Sequence, residues 1–200
     1  MAAMRLWFGL FKLRIGMLIA ITALAGAAVT PGPSLTAWQY AVLGLSVLAA
    51  SAAAGAFNQF YERDLDLSMA RTRRRPFATG ALQPHAGWLG LIALLLAAAT
   101  VFAATVLNAA SASYVFLGAF VYAVVYTVWL KRRSWLNIVI GGLAGSFAVL
   151  AGAAAVTPAL DATPIILAVV LFLWTPPHFC AWPLPSTGTT PPRACRCCRW

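Results

Sequence analysis

Charge is what this chain has least of. Only 9% of its 200 residues are charged, and only four are acidic, where a soluble domain carries about 25% charged residues. With 62% of the residues hydrophobic, too little polar surface remains for a water-soluble fold, and the composition places the chain in a membrane. Cysteine is missing from the first 179 positions. All four (Cys180, Cys195, Cys197, Cys198) fall near the end, so no disulfide framework organises the bulk of the sequence. The terminal CxCC run lacks the spacing and His partners of a zinc site. Internal repeats are also lacking, which argues against a transporter built from two related halves.

What is present is a set of apolar runs separated by a few polar breaks. Six runs have near-bilayer length: Ile15–Thr30, Ala37–Phe57, His85–Leu107, Ser111–Leu130, Ile138–Val156 and Thr163–Ala181. The first has basic residues before it, as a signal peptide would. It is slightly long for that, and further spans follow, so it reads as a retained helix. The net charge of +10 could indicate a nucleic-acid partner, but its distribution excludes one. The basic residues form four groups, Arg5/Lys12/Arg14, Arg63–Arg75, Lys131–Arg133 and Arg193–Arg199, with no Lys or Arg in the loops between them. That alternation follows the positive-inside rule. It puts the N-terminus, the loops at 58–84 and 131–137 and the tail on the cytoplasmic side of a cell (inner) membrane. The expected fold is all-α, a polytopic transmembrane helical bundle. Small residues crowd Ala49–Ala56 and Gly141–Gly152, where they suit close helix packing and can equally leave room for a bulky ligand.

One polar stretch stands out, Asn58–Pro76, with three of the four acids (Glu62, Asp64, Asp66) and five of the fourteen basic residues. On a helix continuing past Phe57, Asn58, Glu62 and Asp66 fall at i, i+4 and i+8, spread over about 80° of one face. Two carboxylates and an amide on one stripe suit Mg²⁺, a hard cation that keeps positions for water and phosphate oxygens. The arginines that follow suit the phosphate, since guanidinium binds it in bidentate fashion. The plainer alternative is a set of loop charges that keep a turn hydrated. Lys131-Arg-Arg-Ser-Trp-Leu-Asn137 adds three cations on the same side, either for anionic lipid headgroups or as a second arm over a diphosphate. His85 reads as an interfacial residue. His178 lies in Trp174-Thr-Pro-Pro-His-Phe179, where the paired prolines are expected to break the helix. A juxtamembrane imidazole there is a site candidate, though such a residue is as readily structural.

The stretch NQFYERDLDLSMARTRRRP resembles the first aspartate-rich motif (NxxxDxxxD) of the intramembrane aromatic prenyltransferases, with Glu62 at the first acidic position and Asp66 at the second. Its longer form is similar to the motif of the protoheme IX farnesyltransferase branch. So are Leu130-Lys-Arg-Arg-Ser-Trp-Leu-Asn-Ile-Val-Ile-Gly-Gly142 and Trp174–Phe179. The resemblance covers about residues 5–179. The resemblance implies about six spans here of a nine-span fold, with a central cavity open to the cytoplasm. It implies farnesyl diphosphate as donor, bound through Mg²⁺ on Asn58, Glu62 and Asp66, which would also be the catalytic residues. Arg71, Arg75, Lys131 and Arg132 would neutralise the diphosphate, and His178 would contact haem B, the acceptor that becomes haem O. Haem A synthase or oxidase-assembly proteins are implied as partners. The motif-bearing part then forms one prenyltransferase domain, residues 1–181. Residues 182–200 depart from the family, which has a second acidic motif there. Codons allowed by Arg193–Trp200 spell Gly-Val-Pro-Met-Leu-Pro in another frame, so the expectation is a frameshifted, disordered tail on a truncated chain of uncertain activity. Two other readings stand beside this one: a quinone- or chlorophyll-type prenyltransferase, and a non-catalytic membrane fragment.

Overall fold

A computed structural model describes residues 2–69, 72–131, 133 and 137–181; the tail at 182–200 lies outside the described residues. In lipid, a backbone with no water to bond must satisfy its own N–H and C=O groups, and a helix is the local way to do so. Each apolar run is accordingly helical, and no strand occurs among the described residues. The elements are α1 (Ala2–Leu10), α2 (Leu13–Val29), α3 (Ala37–Tyr61), α4 (Arg63–Ser68), α5 (Ala86–Val106) and α6 (Ala109–Phe120). α6 continues as a π-helical segment, Val121–Leu130, and is followed by α7 (Asn137–Val156) and α8 (Ala162–Ala181). Among the described residues, four helices are long and apolar enough to cross a membrane: α3, α5, α6 with its π-helical extension, and α7. Two shorter apolar helices, Leu13–Val29 and Ala162–His178, accompany them. This is a multi-pass membrane protein. Leu18, Ile21, Leu94, Ile166 and Leu173 are exposed on the outside of the bundle, as lipid contact requires.

The turns opposite the polar loops are closed by side chains. Thr36 and Gln39 form a reciprocal capping box at the start of α3, occupying two helix-terminal donors at once. Asn108 accepts from the Ser111 N–H at 2.8 Å and donates to the Ala154 carbonyl at 2.7 Å, tying the start of α6 to the end of α7. α2 packs on α7 with almost no side chain between them. A Cβ on Gly152 would collide with the Ala23 carbonyl, and one on Gly26 with the Val149 backbone. Here the small residues act in packing; elsewhere, as described below, they line open space.

The structure adds one element and corrects two expectations. The first apolar run is preceded by a separate helix, α1, and the joint is made by Lys12 in the left-handed region (φ 47°, ψ 41°). The helix expected through Asp66 has a joint at Glu62 (φ −95°, ψ 8°) between α3 and α4. The Glu62 N–H still reaches the Asn58 carbonyl (3.1 Å) and the Asp66 N–H the Glu62 carbonyl (2.8 Å), so the one-turn spacing of the three residues survives. Pro176 and Pro177, expected to break the last helix, lie inside α8, which runs on to Ala181. Two missing N–H donors leave only the Phe172 and Leu173 carbonyls without their i+4 partners. With no water competing for the backbone, that loss does not unwind the helix. The Thr175 hydroxyl donates to the Leu171 carbonyl at 2.8 Å beside the prolines.

Candidate functional site

α2, α3, α6, the π-helical segment and α7 enclose a chamber of about 410 Å³. Its wall is apolar and built of small residues: Ala50, Ala54 and Gly55 from α3, Gly118 and Ala119 from α6, Ala144, Ala148 and Ala151 from α7. Along α3 the lining runs from Val47 to Asn58, a depth of about 16 Å at 1.5 Å per residue. Polar groups gather at one end: Lys12, Asn58, Arg75, Tyr122 and Lys131 all line it.

Asn58 and Glu62 are there because α3 carries its last turn beyond the apolar run. Both are buried, with Glu62 fully inaccessible. The Asn58 amide donates to Glu62 Oε2 at 2.8 Å and to the Thr127 hydroxyl at 3.2 Å. Lys131 Nζ meets the same Glu62 oxygen at 2.5 Å. Burial pulls the Lys131 ammonium below its ordinary pKa against the opposing pull of Glu62, and the charges of Arg75 and Lys12 push it the same way as burial. Glu62 Oε1 is buried with no hydrogen-bond partner.

Lys131 reaches this place through an unusual backbone. Tyr122 and Lys131 are nine residues apart, which on an α-helix would place them about 180° apart. The i→i+5 bonding of Val121–Leu130 raises the repeat to about 4.4 residues per turn, which brings the two within about 20° of one face. The Thr127 hydroxyl donates to the Tyr122 carbonyl at 2.8 Å, and the Lys131 N–H bonds the Tyr126 carbonyl at 2.9 Å, both five residues back.

Asp66 is held by Arg75, whose Nη1 donates to both carboxylate oxygens at 2.9 and 2.8 Å. Arg75 is carried by the loop after α4, and the anchor of that loop is Phe77. This ring is 4% exposed, set edge-on to Phe60 and Trp88 at 5.5 and 5.3 Å. The N-terminal joint completes the cluster. Gln59 donates to the carbonyls of Gly9 and Leu10 at 2.8 and 2.9 Å, closing the end of α1. Lys12 then turns its ammonium to Asn58 Oδ1 at 2.7 Å and to the Tyr122 hydroxyl at 3.0 Å.

Of the residues singled out in the sequence, Asn58, Glu62, Asp66, Arg75 and Lys131 come together. Arg71 and Arg132 lie outside the described residues. His178 does not line the chamber; it is exposed on α8 and stacks on Trp174 at 4.3 Å. His85 precedes α5 and leans on Trp88 at 6.0 Å. Sequence reasoning missed Lys12, Gln59, Phe77, Tyr122 and Thr127. Gln59 sits in the polar stretch itself; the others carry no local signal.

The donor set fits a hard divalent cation. Asn58, Glu62 and Asp66 offer only oxygen ligands, Asn58 Oδ1 and Glu62 Oε2 already face ammonium groups, and Glu62 Oε1 awaits a partner. Among the described residues no cluster of three His, Cys, Asp or Glu side chains occurs, so any such cation would draw further ligands from water or a bound anion.

The fold is that of a multi-pass membrane bundle around an apolar chamber, with Lys12, Asn58, Arg75, Tyr122 and Lys131 gathered at one end of it. The chain belongs to the UbiA prenyltransferase family, whose model matches residues 19–187. It is 56% identical over 179 residues to "Protoheme IX farnesyltransferase 2" of Paramagnetospirillum magneticum, covering 89% of this chain and 62% of that protein. It is 47% identical to "Protoheme IX farnesyltransferase 1" of the same strain, covering 88% and 61%. With "Protoheme IX farnesyltransferase" of Gluconacetobacter diazotrophicus it shares 43% identity, covering 86% and 54%. The chain thus spans somewhat more than half the length of these relatives. No solved structure matches it.

Proposed function

We propose that this chain carries the diphosphate-binding part of a Mg²⁺-dependent protoheme IX farnesyltransferase, which joins the farnesyl group of farnesyl diphosphate to a vinyl group of haem B to give haem O. The observation that carries the reading is the joining of a deep apolar chamber to a buried Asn58–Glu62–Asp66 cluster faced by Arg75 and Lys131. The names of the relatives supply the donor and acceptor.

In this reading the farnesyl chain lies along the small-residue wall and the diphosphate at the polar mouth. Asn58, Glu62 and Asp66 would hold Mg²⁺, which supplies positive charge to the diphosphate oxygens. Arg75 and Lys131 stabilise the charge that builds on the leaving diphosphate as the carbon–oxygen bond breaks and the electron pair departs with it. The apolar wall keeps water from the allylic cation until the vinyl carbon attacks. Water then adds to the neighbouring carbon and loses a proton, leaving a hydroxyl. Arg71 and Arg132 are further candidates for the diphosphate. His178, outside the chamber, is left for the acceptor. The distribution of the basic loops supports an orientation with the N-terminus and the polar mouth on the cytoplasmic face of the cell membrane.

The test measures binding of radiolabelled farnesyl diphosphate to the protein in detergent, with and without Mg²⁺, followed by turnover with haem B or an aromatic acceptor. The expected result is Mg²⁺-dependent binding that Asp66→Ala abolishes, with product formed from haem alone. Binding that ignores both Mg²⁺ and Asp66→Ala overturns the site. Product from the aromatic acceptor alone reassigns the reaction to a quinone-type enzyme.

A further inference from the structure

Lys12 is assigned no part in the function proposed above, yet the fold goes to some length to deliver it. It is the one non-glycine residue with positive φ among the described residues, in a region that L-residues seldom occupy. Its aliphatic stem lies over Gly55, where an added Cβ would sit 3.5–3.6 Å from its carbons. Gln59 fixes the end of α1 two residues earlier through both of its last carbonyls. The adjacent Asn58 and Gln59 therefore hold the joint from both sides, one by the ammonium and the other by the backbone.

The result is a crowd of like charges. Lys12, Arg75 and Lys131 converge on one mouth that has two carboxylates, Glu62 and Asp66. Neutralising two carboxylates needs two cations. A third in a largely desolvated place is unfavourable unless an anion joins the cluster.

We propose that the Lys12 ammonium is a direct ligand of the substrate's diphosphate, brought to the chamber mouth by the left-handed joint between α1 and α2. The inference rests on the diphosphate reading of the same site. A hydrogen bond to a charged partner lost from such a place weakens binding by roughly 10- to 100-fold.

The test uses inorganic pyrophosphate with Mg²⁺, titrated calorimetrically into the full chain in detergent. Lys12→Met is expected to lose about 10- to 100-fold in affinity and Lys12→Arg to stay within a few-fold of the parent. Arg14→Met, which removes an exposed charge two residues away, is expected to bind as the parent does. Unmodified protein provides a second readout that needs no variant to fold. Lys12 and Lys131 are its only lysines, so acetylation by an amine-reactive reagent can be followed at each by mass spectrometry. Pyrophosphate is expected to protect Lys12. Affinity of Lys12→Met within about threefold of the parent, or Lys12 acetylation unchanged by saturating pyrophosphate, overturns the assignment while leaving the diphosphate site standing. A parent protein that binds no pyrophosphate removes that site and this inference together.

Discussion

Replacing Lys131 by Met should destabilise the protein far more than a cytoplasmic loop lysine ordinarily would. The Lys131 side chain is 12% exposed and that of its partner Glu62 wholly buried, with 2.5 Å between ammonium and carboxylate. Removing one member of such a pair strands the other, at a cost of about 3–5 kcal/mol. For a chain of this size, each kcal/mol shifts the melting midpoint by about 2–4 °C, so a fall of roughly 6–20 °C is expected. Glu62→Gln should cost less, about 1–3 kcal/mol, because the amide keeps the Asn58 contact and the lysine, its proton already loosened by burial, can shed it. The double variant Glu62→Gln/Lys131→Met leaves no buried charge at that contact. It should lie closer to the parent than the sum of the two, with a coupling of about 2–4 kcal/mol. The assay is thermal unfolding of all four proteins in one detergent, followed by circular dichroism. Additive losses, or a Lys131→Met midpoint within about 2 °C of the parent (roughly half to one kcal/mol), would refute the buried pair as a structural element.

Three further outcomes follow from the packing. Gly152→Ala should lower the melting midpoint by an overpacking cost of about 1–3 kcal/mol, since its Cβ meets the rigid Ala23 carbonyl; an unchanged midpoint would mean α2 and α7 are free to part. Thr36→Ala breaks the capping box and should cost about 1 kcal/mol in the same melt. Pro176→Ala restores a donor inside α8 and should raise the midpoint, with about 3 kcal/mol as the ceiling; a lower midpoint would show that the proline ring itself packs.

The helices were legible because lipid leaves the backbone one local solution. A run of some twenty apolar residues becomes a helix whatever its neighbours do. The acidic stripe was legible for a related reason: Asn58, Glu62 and Asp66 are one turn apart, so sequence spacing alone carries them onto a common face. The cations that answer them are not local. Lys12 is 46 positions from Asn58, and Lys131 is 69 from Glu62. Lys131 is in addition displaced from the face that an α-helical count would give it, since nothing in VYAVVYTVWL announces a π register. Tyr122 and Thr127 lie in the same segment, and no local pattern marks them either. The prolines misled for the opposite reason: their rule comes from helices in water, where freed carbonyls find other partners. Phe77 was missed because a single aromatic residue in a polar loop has no periodicity to mark it.

The polar mouth therefore serves the fold and the proposed chemistry through the same contacts. The Lys12 ammonium occupies Asn58 Oδ1, that of Lys131 occupies one Glu62 oxygen, and Arg75 occupies both oxygens of Asp66. Every one of these partners is positive, so a divalent cation that took more than the remaining Glu62 oxygen would need them to move or share. In the proposed function a diphosphate gives them somewhere to go, since the cations released from the carboxylates are the ones that best hold its oxygens. On this reading, metal and diphosphate bind with mutual support, each relieving the repulsion that the other would raise alone. The opposite arrangement, a carboxylate cluster with no resident cations, would take Mg²⁺ readily and then repel the anion it is meant to hold. A surplus of positive charge at the end of an apolar chamber is thus what a site for a diphosphate ester requires before any substrate arrives.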